Sequence, residues 1–446
     1  MISRRGLLRM GAVSAGALAL KPLGLSAATA QASGDYRALV CVFLYGGNDS
    51  NNLVVPMDPA RYQAYVSIRG ALALQGNQLT PPVFTNTGRA PYAFHTGLKE
   101  LAPLFSSGKL AVVANVGSMV QPLTAEQYQA RSAAIPRNLF SHIDQQAQWQ
   151  TSVSDGNSAT GWAGRVADRL AALSGSNSPT FVSTAGNCIL GAGEQTQPVC
   201  LNPGQSLAVP AVTASADAAQ VSAMEALLNA NAGAPLMNRS NKVFASLLSA
   251  GQTLNSTLAG EKPLQTTFPE TGLGKQLRQI AQVIQARASL GANRQIFFCS
   301  LSGFDTHAAQ LETHRSLYPQ LSQALASFYS ALGELGVQND VVTFTASEFN
   351  RTFQPTSQGD GSDHGWGGHQ LVLGGNVAGG EVYGSFPRFE LSGPNDADNR
   401  GRWVPSTSVD QYAATLSSWL GVSGGDLQTV FPNLKNYASP TLPFLS

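Results

Sequence analysis

The chain has 446 residues, and its 27 lysines and arginines nearly balance 26 aspartates and glutamates. Charged residues make up only 12 %, with no basic run and no acidic tail, which argues against a nucleic-acid partner and a solvating segment. Such a length supports one large buried domain or two.

The first residues read as an address. Ser3-Arg4-Arg5-Gly6-Leu7-Leu8 precedes an apolar run rich in alanine and glycine over 10–20. Ala28-Thr29-Ala30 and Ala30-Gln31-Ala32 then offer small-x-small cleavage patterns. This predicts a twin-arginine signal peptide over 1–32, with 33–446 exported, already folded, to the periplasm or the exterior. The apolar run is short of the ~20 residues that cross a bilayer. The expected partner at this stage is the twin-arginine export machinery, with no stable membrane span.

Residues 38–45 form a short continuous apolar run, as a central parallel strand would. The run ends in Gly46-Gly47-Asn48-Asp49, where Asp49 is placed either to bind a ligand or to shape an Asx turn. A helix is predicted over 98–105 and a second strand over 110–115, followed by Gly117-Ser118. From Ser141 the pattern turns helical as far as about 150. Ser141 there is either an N-cap or a nucleophile facing a phosphate-type group at a helix N-terminus. A helix over 161–173 and a strand over 180–183 follow. Between about 186 and 269 the composition shifts toward Ala, Ser, Asn and Gln, which reads as a helical insertion with helices over 221–228 and 243–254.

A helix over 277–290 feeds a strand over 295–301, which ends in Gly303-Phe304-Asp305-Thr306-His307. Asp305 and His307, two apart in extended chain, can face one ion; alternatively, Asp305 caps the next helix. His314 lies in that helix. After a helix over 321–335, a strand over 341–345 leads to Ser347-Glu348-Phe349-Asn350-Arg351-Thr352 and then Asp363-His364-Gly365-Trp366-Gly367-Gly368-His369. Carboxylates and imidazoles in a glycine-rich loop are the ligand set of a zinc or manganese site; the alternative is a polar loop whose histidines only hydrogen-bond. A strand over 371–373 and a helix over 409–420 complete the chain. Alternating strands and helices predict an α/β fold with a central, largely parallel sheet flanked by helices. Of the four cysteines, Cys41 and Cys299 sit in strand-like runs as buried thiols, and Cys188 and Cys200 flank one segment that a disulfide could close.

The four motifs around Asp49, Asp305/His307, Glu348 and Asp363/His364, in this order, resemble the domain of unknown function 1501 family, an exported branch related to the alkaline phosphatase-like and sulfatase superfamily. The resemblance spans nearly the whole mature chain. It implies an alkaline phosphatase-like sheet with a site at the strand ends. It also implies one or two divalent ions (zinc, manganese, magnesium or calcium) held by Asp49, Asp305, His307, Asp363, His364 and His369. Glu348 is an alternative to Asp363. Ser141 takes the nucleophile's place, with Ser118 and Ser50 as further candidates. No Cys or Ser is followed by x-Pro-x-Arg, which argues against a formylglycine sulfatase. The expected activity is metal-dependent hydrolysis of a phosphate-type ester, on a small molecule or a polymer. The alternatives are an exported binding or assembly protein that keeps a structural metal, and the same fold without metal.

Overall fold

The computed structural model describes residues 36–88, 91–173, 178–204, 223, 226–228 and 234–445. The predicted signal peptide over 1–32 and half of the predicted helix over 221–228 lie outside them. In chain order the elements are β1 (Arg37–Tyr45), β2 (Val54–Pro56), α1 (Pro59–Arg69), β3 (Val83–Phe84), β4 (Pro91–Phe94), α2 (Ala102–Ser106) and β5 (Leu110–Gly117). They continue through α3 (Ala125–Ala130), α4 (His142–Thr151), α5 (Trp162–Leu170), β6 (Phe181–Ser183), β7 (Val199–Cys200), α6 (Pro235–Gly260) and α7 (Gly272–Gln285). The last are β8 (Arg294–Ser302), α8 (Gln310–Glu334), β9 (Val341–Ala346), β10 (Gly368–Leu373), β11 (Val382–Tyr383), β12 (Thr407–Ser408), α9 (Val409–Leu420) and α10 (Gly424–Val430).

Nine strands form the main sheet in the order β11-β5-β10-β9-β1-β8-β6-β7, with β12 also on β5. All neighbours run parallel except β10, which is antiparallel to both β9 and β5. Strand β1 shows why the sheet sits at the centre. Ala38, Val40, Val42 and Leu44 enter one core, with Ile280 and Ile284 of α7 and Leu321 and Leu325 of α8. Leu39, Cys41 and Phe43 enter the other, with Val166 of α5 and Tyr412 and Leu416 of α9. Side chains alternate across a strand, so a strand apolar at every position is buried on both faces. The predicted α/β architecture is therefore the one observed. A separate three-stranded antiparallel sheet, β2-β4-β3, lies off this path.

Two details differ from the pattern reading. The predicted helix over 321–335 is part of a longer one, α8, which passes through Pro319. Proline removes one helical hydrogen bond, but buried Leu317, Tyr318, Leu321 and Leu325 hold the helix across it. All four cysteines are free thiols, with Cys200 Sγ donating to Asn187 Oδ1 at 3.2 Å. No helix among the described residues is long and apolar enough to cross a membrane.

Helix α9 is closed by a capping box between Ser408 and Gln411 and by Gly421 in the left-handed region. Asp410 in its first turn is buried, and Ser408 Oγ donates to its Oδ2 at 2.9 Å. Burial pushes this carboxyl up to about 6, against hydrogen bonds from Ser408 and Ser152 and the charge of Arg165. The folded state thus holds a proton that the unfolded chain releases. Its stabilisation is present at pH below about 4 and is lost as pH rises to about 6. The loss is on the order of 3 kcal/mol over that window. Asp410→Asn should abolish this part of the pH dependence in urea unfolding; an unchanged profile would place it elsewhere.

Candidate metal centre

Three of the loops that follow parallel strands, and the start of antiparallel β10, meet at one edge of the sheet. In an open α/β sheet this edge, at the strands' carboxyl ends, is where ligands bind. The chain crosses itself tightly there. Gly46, just past β1, has φ +113°, and a Cβ on it would lie 2.4 Å from the Asp305 backbone nitrogen. Only glycine permits that approach.

Asp305, past β8, is the hub. Its Oδ1 lies 3.0 Å from His307 Nε2, 3.4 Å from His364 Nε2 and 2.9 Å from the buried Arg351 Nη1. Its Oδ2 is 3.5 Å from His142 Nε2. His307 Nε2 and His364 Nε2 are 3.1 Å apart. Ligand atoms of His142, Asp305 and His364 all lie within 4.8 Å of one another. Asp305 and His307 are about half exposed, at 47 % and 48 %, so the cluster opens to solvent.

The far nitrogen of each imidazole meets an acceptor. His142 Nδ1 donates to Glu348 Oε1 at 2.9 Å, His307 Nδ1 to Asp363 Oδ1 at 3.1 Å and His364 Nδ1 to the Phe140 carbonyl at 2.7 Å. With Nδ1–H committed in this way, each Nε2 of a neutral ring carries its lone pair toward Asp305.

Charge follows geometry. Burial alone would raise the Asp305 carboxyl, but Arg351, followed by His142 and His307, holds it below the usual carboxylate range. Asp363 is likewise lowered despite burial, chiefly by Arg400, which pairs with its Oδ2 at 2.6 Å. The hydrogen bond to Glu348 raises His142 against burial, with help from the charges of Glu348 and Asp305. Burial lowers His364.

Asp305 and His364 suit a divalent ion together with either His142 or His307. Four ligands at 2.0–2.1 Å around zinc stand roughly 3.3 Å apart at the corners of a tetrahedron. The separations of 3.0, 3.1 and 3.4 Å among Asp305, His307 and His364 match that edge. His142 Nε2 is buried with no hydrogen-bond partner, which is the cost a fourth metal bond would remove.

Of the ligands expected from sequence, Asp305, His307 and His364 converge, and the other four engage protein groups instead. Asp49 is fully buried in an ion pair with Arg69. Gln310 Nε2 also donates to Asp49 Oδ2 at 2.5 Å, and Asn51 Nδ2 to Oδ1 at 2.8 Å. Buried Glu348 accepts on Oε1 from the Gly46 N–H and Gln146 Nε2, both at 2.9 Å, as well as from His142. Asp363 stands behind His307. His369 is buried on β10, and its Nδ1 accepts from the Asn115 N–H at 3.1 Å. Ser141 caps α4, with its Oγ 2.6 Å from Asp144 Oδ2. Ser50 and Ser118 are both buried. His142 is not among the ligands expected from sequence. Its only local signal is its place at the start of a helix beside Ser141.

Several solved structures are similar over most of the chain at low identity. The lipoteichoic acid synthase LtaP of Listeria monocytogenes is 9 % identical with a TM-score of 0.35, over 90 % of this chain and 76 % of that one. The zinc complex of the C-terminal periplasmic domain of EcEptC from Escherichia coli is 12 % identical with a TM-score of 0.34, over 88 % and 84 %. The phosphonate monoester hydrolase of Agrobacterium radiobacter is 10 % identical with a TM-score of 0.30, over 87 % and 74 %. No curated protein matches the sequence. The family described as protein of unknown function (DUF1501) matches residues 36–400, and the chain belongs to it.

Proposed function

We propose that this protein is an exported, metal-dependent hydrolase of phosphate-type esters. The observation that carries the reading is the convergence of His307 Nε2, His364 Nε2 and Asp305 Oδ1 at 3.0–3.4 Å, with the unpartnered His142 Nε2 beside them. Asp305, His142, His307 and His364 would hold one divalent ion, which supplies Lewis acidity toward a phosphoryl oxygen and acidifies bound water. Arg351 keeps Asp305 ionised, and Arg400 brings positive charge to the rim through Asp363. The half-exposed cluster leaves room for an ester on a small molecule or a polymer. The twin-arginine motif supports folding and metal loading before export.

In this reading water is the nucleophile, because the Ser141 hydroxyl is committed to Asp144 as a helix cap. Ser141→Ala is expected to lower stability by ~1 kcal/mol and to leave hydrolysis intact. The check is a panel of phosphate mono- and diesters, with a sulfate ester as control, on protein shown to hold metal. Loss of hydrolysis in a folded, metal-loaded Ser141→Ala variant would return the nucleophile's role to the serine. The same committed hydroxyl favours the second reading, an exported binding or assembly protein with a structural metal. Metal-loaded wild type that cleaves none of the esters would support that reading.

A further inference from the structure

We infer that Glu348 is a positioning residue for His142: it fixes the imidazole as the Nδ1–H tautomer and aims Nε2 at Asp305, and it is not itself a metal ligand. The inference rests on the metal-site reading above. Glu348 is fully buried, and three donors from two elements converge on its Oε1: Gly46 N–H past β1, and His142 Nδ1 and Gln146 Nε2 of α4, each at 2.9 Å. Ser347 Oγ lies 3.4 Å from Oε2. With these bonds made, the carboxylate turns toward the back of His142, away from the converging Nε2 atoms.

Helix α4 is built for the arrangement. His142, Gln145 and Gln146 share one face at i, i+3 and i+4. Gln146 braces Glu348, while Gln145 Nε2 donates to the Glu348 carbonyl at 3.4 Å and its Oε1 accepts the Phe140 N–H at 2.5 Å. Phe140 has φ +72°, which is rare for a bulky residue. That backbone turn directs its carbonyl to His364 Nδ1. One helical turn thus braces the acceptors of two imidazoles. Partners of this kind orient metal-binding histidines and set their basicity.

The test combines two readouts on the full mature chain. In metal-free protein above the imidazole titration range, long-range ¹H–¹⁵N spectra should show His142 protonated on Nδ1. Glu348→Ala should convert it to a mixture of tautomers. In competition titrations with zinc alone, Glu348→Ala should weaken binding 10–100-fold. Glu348→Gln, which keeps an acceptor oxygen, should lose less than about tenfold. In a His142→Ala background, removing Glu348 should cost no further zinc affinity, because a residue acting only through His142 has nothing left to position. A second loss of the same size in that background would make Glu348 a direct ligand and overturn the proposal, as would an unchanged His142 tautomer in Glu348→Ala. Should Glu348→Ala not fold, Glu348→Gln enters the same cycle. Wild type that takes up no zinc, yet shows the tautomer change, would remove the metal reading and keep the positioning role.

Discussion

Asp305→Ala and His364→Ala are each expected to weaken zinc binding by roughly two orders of magnitude or more. Structural zinc sites bind with about 10–16 kcal/mol over four ligands, so each ligand accounts for about 3 kcal/mol, or ~100-fold. Asp305 should show the larger effect, because its carboxylate meets all three Nε2 atoms. Its loss also leaves the Arg351 guanidinium, fully buried, without its carboxylate partner. The comparison is a zinc competition titration, with melting curves to show that the variants fold. Zinc at about a hundredfold its Kd should stabilise wild type by ~2.7 kcal/mol and leave Asp305→Ala nearly unmoved. Equal zinc affinity in wild type and both variants would remove these residues from the ligand set.

The largest loss of stability is expected at Asp49, without loss of metal. Asp49 and Arg69 form an ion pair with neither side chain exposed, and Gln310 and Asn51 complete the shell around the carboxylate. Removing one partner of such a pair strands a buried charge and costs about 3–5 kcal/mol. Asp49→Asn should therefore unfold at markedly lower urea while the folded protein binds zinc as tightly as wild type. The result separates two roles for the same residue. A stable Asp49→Asn protein that has lost zinc would make Asp49 a ligand, as the sequence motif implied.

What was legible from the chain was what local pattern encodes. β1 carries an unbroken apolar run, and β8 and β9 are rich in Ile, Phe, Val and Thr; each ends in a polar turn, so the strands and the loops at their carboxyl ends could be read directly. Asp305 and His307 were legible because two-residue spacing past a strand puts both at one edge. His364 stood out as a histidine among glycines. Beyond that, the site depends on partners distant in sequence. His142 gains its role from Glu348, 206 positions away. Asp49 loses a ligand's freedom because α1 delivers Arg69 to it, which no feature of the 46–52 turn announces. Serine at a helix start was read both as cap and as nucleophile; the structure shows the capping contact of Ser141 with Asp144. Nor does the short apolar run over 371–373 carry any sign that β10 lies antiparallel between β9 and β5.

The most direct measurement is anomalous X-ray diffraction at the zinc edge from crystals of the mature protein grown with zinc. One strong peak is expected, bounded by His142 Nε2, His307 Nε2, His364 Nε2 and an Asp305 carboxylate oxygen, at about 2.0–2.2 Å from each ligand. A peak centred instead on Asp49 and His369, or no peak at all from zinc-soaked crystals, would contradict it.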